Sequence, residues 1–328
     1  MLAAVAVSQN AADPLAGLEL RDVPKPEVPD GWALVRVVAA SLNMHDVWTL
    51  RGVGHPPELL PRILGCDAAG YTVDDDGGDG AAVVVHPVIA DPDAGLGDET
   101  LDPRRSLISE RYEGTFAEWL AVPRRNLVPK PEELSFDQAA CLPIAWGTAY
   151  RMLATQARVK AGDRVLVQGA GGGVASAAIR MAVAMGAVVY ATSRSAEKLL
   201  AAEAWGARGV ESGGRLPERV DVVIETVGEA TWSHSLKSLR PGGTLVVAGA
   251  TSGYNPPADL GRVFYQQLRV IGSTCCTRPE FDAMLRMLAA TGTHPVIDRT
   301  LPLEHIHDGL QAMIDGDLVG KVVVNPSA

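Results

Sequence analysis

Two different rhythms in one chain predict an α/β protein with two domains. One is a strand-rich domain built from the front and the tail; the other is a doubly wound parallel sheet in the middle. Three observations carry this. The first 125 residues read as short strands broken by Pro and Gly. Residues 126–264 alternate strands and helices, and the strands are nearly continuous apolar runs, as expected when helices cover both faces of a parallel sheet. Residues 265–328 end on the strand-like run KVVVNP, which returns the chain to the front domain.

Taken in order, residues 2–7, 18–23 and 32–39 (WALVRVVA) are strands, with Pro24, Pro26, Pro29 and Gly31 breaking the chain before the third. The acidic stretch DDDGGDG (74–80) reads as a solvated hairpin turn, and residues 90–112 as a long surface loop. SFDQAACLPIAWGTAYRML (135–153) is helical in pattern. Strands follow at 164–170, 187–193, 221–228 and 244–250, separated by helices at 174–185, 196–206 and 231–239. The tail supplies a strand (QLRVIGST, 267–274), helices at 279–290 and 303–315, and the closing strand.

Composition narrows the function classes. The 328 residues are 47% hydrophobic and 21% charged, ordinary for a globular chain with ample core. A net charge of −10, with no Lys/Arg run, argues against nucleic acid or an anionic membrane as partner and for a small-molecule substrate. No apolar run has transmembrane length, and the N-terminus lacks the basic region of a signal peptide. Cys66, Cys141, Cys275 and Cys276 form no CxxC pair and no disulfide framework, which fits a reducing cytoplasm.

The run GAGGGVAS (169–176) carries the chemistry. It sits between a buried strand and a helix with Val174, Ala178, Met181 and Met185 at helical spacing, so it is not a linker. Small residues there let the backbone turn sharply and approach a pyrophosphate, and the helix start stabilises its charge. The pattern is Ala170-x-Gly172-x-x-Ala175, with Gly173 and Val174 opening the helix. The end of the next strand reads ATSRSAEK. Where an NAD site wants an Asp or Glu, this chain has Ser193, Arg194 and Lys198, which attract a 2′-phosphate and favour NADPH. The bland alternative is that Arg194 and Lys198 form only a solvated helix start. Loops at the carboxyl ends of parallel strands line the ligand crevice, which adds Val227, Gly249, Ala250 and Thr251 to the cofactor residues. Tyr254 and Asn255 beyond them either touch ligand or form a turn.

These features resemble the medium-chain dehydrogenase/reductase superfamily along nearly the whole chain. SLNMHDVWTLRG (41–52), ILGCDAAG (63–70), EGTFAEWLAVP (113–123), LVPKPEELSFDQAACLPIAWGTAY (127–150) and GKVVV (320–324) each match a family segment. The resemblance implies a GroES-like β-barrel catalytic domain and a Rossmann domain with the active cleft between them. It points to the zinc-free branch of quinone oxidoreductases and enoyl reductases. Where zinc alcohol dehydrogenases place Cys, His-Glu and Cys, this sequence has Asn43, Cys66-Asp67 and Ile144, which do not make a catalytic zinc site. The cysteine-rich structural-zinc lobe is also missing, so no metal is expected.

Without a metal, reducing a C=C bond conjugated to a carbonyl is easier to arrange than oxidising an alcohol. It needs hydride from the nicotinamide, a donor for the enolate oxygen and a proton for the α-carbon. By resemblance, Asn43 and Thr148 lie near the nicotinamide ribose and ring. The family's Tyr is replaced by Gly54, followed by His55; His55, His45 or solvent supplies the proton. By the same resemblance, residues 267–274 pair across a homodimer interface. Two alternatives stay open: an alcohol or carbonyl oxidoreductase with an atypical site, and a catalytically idle NADPH-binding protein.

Overall fold

The structure, a computed structural model, describes residues 1–326 except Asp75. It separates into two units, one of residues 1–144, 277–290 and 294–328, the other of residues 145–276 and 291–293. The first unit is discontinuous along the chain. The changeovers fall later than 125/126 and 264/265, for reasons visible in each unit.

The first unit is built on a seven-stranded sheet. Its central strand Trp32–Ser41 pairs with Asp67–Val73, Trp119–Pro123 and Lys321–Asn325, all antiparallel. Along that strand Ala33, Val35 and Val37 are buried, while Trp32, Leu34 and Arg36 reach the half-exposed face. This is the period-2 pattern of a sheet with one solvated side. Val35, Val37, Leu50, Phe116, Leu120 and Leu310 join one core. Burying a Val or Leu side chain stabilises by about 1.5–3 kcal/mol, so loss of any of these is felt. The short helix Phe136–Ala140 stays with this unit, because Ser135 and Gln138 close a capping box at its start and its residues pack on the same sheet. That moves the changeover past residue 126. The acidic 74–80 turn joins two antiparallel strands, although Asp75 lies outside the described residues. The 90–112 segment is tied down rather than loose. Glu99 in it is buried, accepting from Arg125 at 2.6 Å and from the Arg278 N–H at 2.6 Å.

The second unit is a six-stranded parallel sheet. In spatial order its strands are Arg208–Glu211, Val188–Ser193, Arg164–Val167, Val220–Glu225, Leu239–Val247 and Arg269–Gly272. Numbered along the chain this is 3-2-1-4-5-6, the doubly wound dinucleotide order. Arg269–Gly272 pairs in register with Leu239–Val247, which is why the strand expected in the tail belongs here. Helices Gly173–Ala184, Ala196–Ala204 and Glu229–Ser238 connect successive strands. The strand Arg208–Glu211 had no counterpart in the sequence reading. Among the described residues no helix is long and apolar enough to cross a membrane, and all four cysteines are buried thiols outside any disulfide.

Candidate active site

The loop Gln168–Gly172 leaves the strand Arg164–Val167 at its carboxyl end and enters the helix Gly173–Ala184. Gly169 and Gly171 have φ of +76° and +111°, a region side chains avoid. A Cβ on Gly169 would stand 2.8 Å from Val227 Cγ2, and one on Gly171 would stand 2.6 Å from Lys198 Cδ. The Lys198 stem therefore lies on the loop itself, in space that only glycine leaves free. A Cβ on Gly172 would meet nothing within 4 Å, so this position faces open space. The helix starts here with no acidic residue in its first turn, and its first N–H groups, at Gly173 and Val174 among others, have no intrahelical acceptor. This is a cradle for an anion. Ala170 is buried behind it, its N–H donating to the Thr192 carbonyl at 2.7 Å.

The other expected cofactor residues gather at the same carboxyl edge of the parallel sheet. Ser193 is buried, and its Oγ accepts the Ser195 N–H at 3.1 Å. Arg194 is exposed and has no ion-pair partner among the described residues. Beyond the next two strands, Val227 abuts Gly169, and Gly228 lies against Ala250 and Gly253 so closely that any side chain on it would collide. Gly249 and Thr251 flank Ala250, the Thr251 hydroxyl 3.5 Å from the Thr226 carbonyl. Thr148 sits on the Gly147–Tyr150 turn of the helical run in this unit and is buried.

In the first unit, Asn43, Asp67 and Lys321 form a buried polar nest. Lys321 Nζ donates to Asn43 Oδ1 at 2.7 Å and to the Leu42 carbonyl at 2.6 Å, and lies 3.4 Å from Asp67 Oδ2. Asn43 Nδ2 donates to Asp67 Oδ2 at 2.8 Å and to the Ser41 carbonyl at 3.3 Å. Asp67 also accepts from the Ser41 hydroxyl and, through Oδ1, from the Ile144 N–H, both at 2.8 Å. Both amide protons of Asn43 are thus used inside the protein. Asp46 joins the nest, accepting the Asn43 N–H at 2.8 Å. Burial pushes its carboxyl up to about 7. Sequence reasoning missed Lys321 and Asp46; the one available signal for Lys321 was a cation opening an otherwise apolar strand.

His55 is 4% exposed, and neither ring nitrogen has a hydrogen-bond partner among the described residues. Burial, and next the nearby Arg62 charge, hold its pKa below the ordinary histidine value. His45 Nε2 stands 3.5 Å from Glu110 Oε1, and burial likewise lowers its pKa. A cavity of 630 Å³ elsewhere in this unit is walled by Trp32, Tyr112 and Trp119. Its polar lining is Lys25, Glu27 and Glu113, the last occupied by Arg62 and the Ile63 N–H, so volume alone does not mark chemistry.

Residues 29–132 match the alcohol dehydrogenase GroES-like domain family, and residues 173–290 match the zinc-binding dehydrogenase family. The chain is 31% identical to the acryloyl-coenzyme A reductase of Sulfurisphaera tokodaii, over 95% of this chain and 98% of that one. Among solved structures it superposes on an NAD-dependent alcohol dehydrogenase with a TM-score of 0.91 and 34% identity, covering 99% of both chains. It also superposes on the 2-octenoyl-CoA carboxylase reductase CinF in complex with NADP and 2-octenoyl-CoA, with a TM-score of 0.90 and 26% identity, covering 99% of this chain and 88% of that one. The chain belongs to the medium-chain dehydrogenase/reductase superfamily, in its enoyl reductase-like branch.

Zinc, which one family description implies, does not suit the residues at its place. Asn43 is an amide already bound to Lys321 and Asp67, and Ile144 has no donor side-chain atom. The Cys66 thiol is 3.1 Å from the Ile108 carbonyl, to which it donates, and burial pushes its pKa well above the ordinary value, so it stays a thiol. Among the described residues no group of three or more His, Cys, Asp or Glu side chains is placed to hold a metal ion.

Proposed function

We propose that this protein is an NADPH-dependent, zinc-independent reductase of activated C=C bonds, acting on enoyl thioesters and enones or on quinones. The observation that carries the reading is the glycine loop, with the Lys198 stem laid on Gly171 and Arg194 exposed at the strand end where an NAD site keeps a carboxylate. NADPH, when bound, supplies the hydride. The N–H groups opening the helix at Gly173 hold its pyrophosphate, and Ser193, Arg194 and Lys198 meet the 2′-phosphate. Val227 and Gly249–Thr251 line the rest of the crevice. The CoA-thioester names of the acryloyl- and octenoyl-CoA reductase relatives favour an enoyl thioester as substrate.

In this reading His55 donates a hydrogen bond to the developing enolate oxygen. Its lowered pKa leaves it neutral near pH 7, with one N–H to give and no stored proton, so the α-carbon proton comes from solvent. In this reading Asn43 and Thr148 stand beside the nicotinamide, as the family resemblance implies. The protein acts as a cytoplasmic homodimer.

The likeness to an NAD-dependent alcohol dehydrogenase favours a second reading, an alcohol oxidoreductase with an atypical site. One experiment separates the readings: NADPH and NADH oxidation with crotonyl-CoA, a 2-alkenal and a simple quinone, beside alcohol oxidation and metal content by mass spectrometry. Enoyl-CoA turnover with NADPH preferred is expected. Alcohol turnover with one tightly held zinc per chain would overturn the proposal, and nucleotide binding without any turnover would mark a binding protein.

A further inference from the structure

Gln168 follows the strand Arg164–Val167 and is fully buried at the start of the glycine loop. Its surroundings form a hydrogen-bond chain whose direction can be worked out from one end. Glu225 is also fully buried and accepts the N–H groups of Val227 and Gly228 at 2.8 and 3.0 Å, the Thr231 hydroxyl at 2.9 Å and the Ser235 hydroxyl at 2.6 Å. A carboxylate so surrounded only accepts, so the single Ser235 proton is spent on it. Toward Gln168, Ser235 must therefore accept, and the Gln168 atom 2.9 Å away is the amide nitrogen. The second amide proton meets His234 Nδ1 at 2.9 Å, which puts the ring proton on Nε2, 2.9 Å from the Gly214 carbonyl. The amide oxygen then faces the Thr192 hydroxyl, which donates to it at 2.5 Å. With its proton spent, Thr192 Oγ1 is left to accept, and the Gly169 N–H stands 3.3 Å from it.

We propose that Gln168 is a positioning residue for the cofactor. Through Thr192 it fixes the first N–H of the glycine loop, so that the N–H groups at the helix start stay turned toward the ligand. The inference rests on the reading of that loop as the NADPH site. It also spends the one Thr192 hydroxyl proton inside the protein, so Thr192 has none to give a cofactor phosphate. The Ala170 N–H on the Thr192 carbonyl completes the brace.

Two substitutions test it. Gln168→Met keeps length and volume without the amide. Thr192→Val keeps shape without the hydroxyl, and Thr192→Ser restores the hydroxyl. NADPH dissociation constants are measured by nucleotide fluorescence, with Val223→Ala in the same sheet as a control for stability loss alone. Gln168→Met and Thr192→Val are expected to weaken NADPH binding about ten-fold, the effect of one lost net hydrogen bond. Thr192→Ser and Val223→Ala should bind as the unaltered protein does. Nitrogen-15 NMR of the His234 ring should show the proton on Nε2 in the unaltered protein and lose that bias in Gln168→Met. Wild-type affinity in both Gln168→Met and Thr192→Val, or a ring proton on Nδ1, would overturn the proposal. If the unaltered protein itself binds no NADPH, the cofactor reading fails first, and the ring NMR still reports whether the bond chain exists.

Discussion

Asp46 is buried completely beside a second carboxylate, Asp67, and its pKa is pushed from 3.8 to about 7, chiefly by burial. Between those two pH values the folded protein binds a proton there that the unfolded chain does not. The stabilisation is thus full below about pH 4 and is lost as pH rises to about 7. Asp46→Asn keeps an acceptor for the Asn43 N–H and removes the charge. Its unfolding free energy, compared with the wild type by urea titration, should therefore gain on the order of 2–4 kcal/mol between pH 5 and pH 8. A constant difference across that range would show that Asp46 is ionised throughout. The neighbouring Lys321–Asp67 pair is of another kind. Breaking a buried pair by removing one partner costs about 3–5 kcal/mol, which makes this nest a structural anchor for the Asn43 backbone. The sequence showed Asn43 and Asp67 as altered zinc positions. It could not show that the last strand delivers a lysine to pair with Asp67 and donate to Asn43, because that contact joins residues hundreds of positions apart.

At the scale of elements, the glycine loop divides its work between two residues that look alike in sequence. Gly171 has positive φ and leaves room for the Lys198 stem; Gly172 has φ −71° and ψ 159°, which any residue adopts, and faces open space. Gly171→Ala is expected to lower stability by about 1–2 kcal/mol and to weaken NADPH binding, because the backbone is strained and Lys198 is displaced. Gly172→Ala should leave the melting temperature unchanged and weaken NADPH binding alone, because its methyl enters the ligand's space. Calorimetry beside a binding titration checks the pair, and equal stability losses would refute the distinction. Strand, glycine run and helix were legible in the sequence, since apolar periodicity and small residues are local signals. The brace behind them was not: Gln168, Thr192, Glu225 and His234 lie on separate elements, and no spacing rule links them.

For the whole molecule, the parallel sheet ends at Arg269–Gly272, which among the described residues has a strand partner on one side only. Val270 on it is 43% exposed, and the helix just before it shows Leu260, Phe264 and Tyr265 at 71%, 73% and 76%. The proposed homodimer would place a second copy's strand on this edge, beside the apolar helix face. Phe264→Asp combined with Val270→Lys should convert a dimer into a folded monomer by light scattering. A monomeric unaltered protein would refute the homodimer.

What the sequence determined alone was whatever local pattern encodes: the two rhythms, the alternation of strands with helices in the middle of the chain, and the glycine loop. Each depends on residues within a few turns of one another, where periodicity and backbone sterics act. Tertiary structure decided the rest. It set where the two units change over, placed Lys321 beneath Asn43, buried the His55 ring with neither nitrogen paired among the described residues, and ran a one-way chain of hydrogen bonds from Glu225 to the loop. Those features depend on burial and on charges brought together from distant positions, and desolvation energy has no signature along the chain until folding creates the interior.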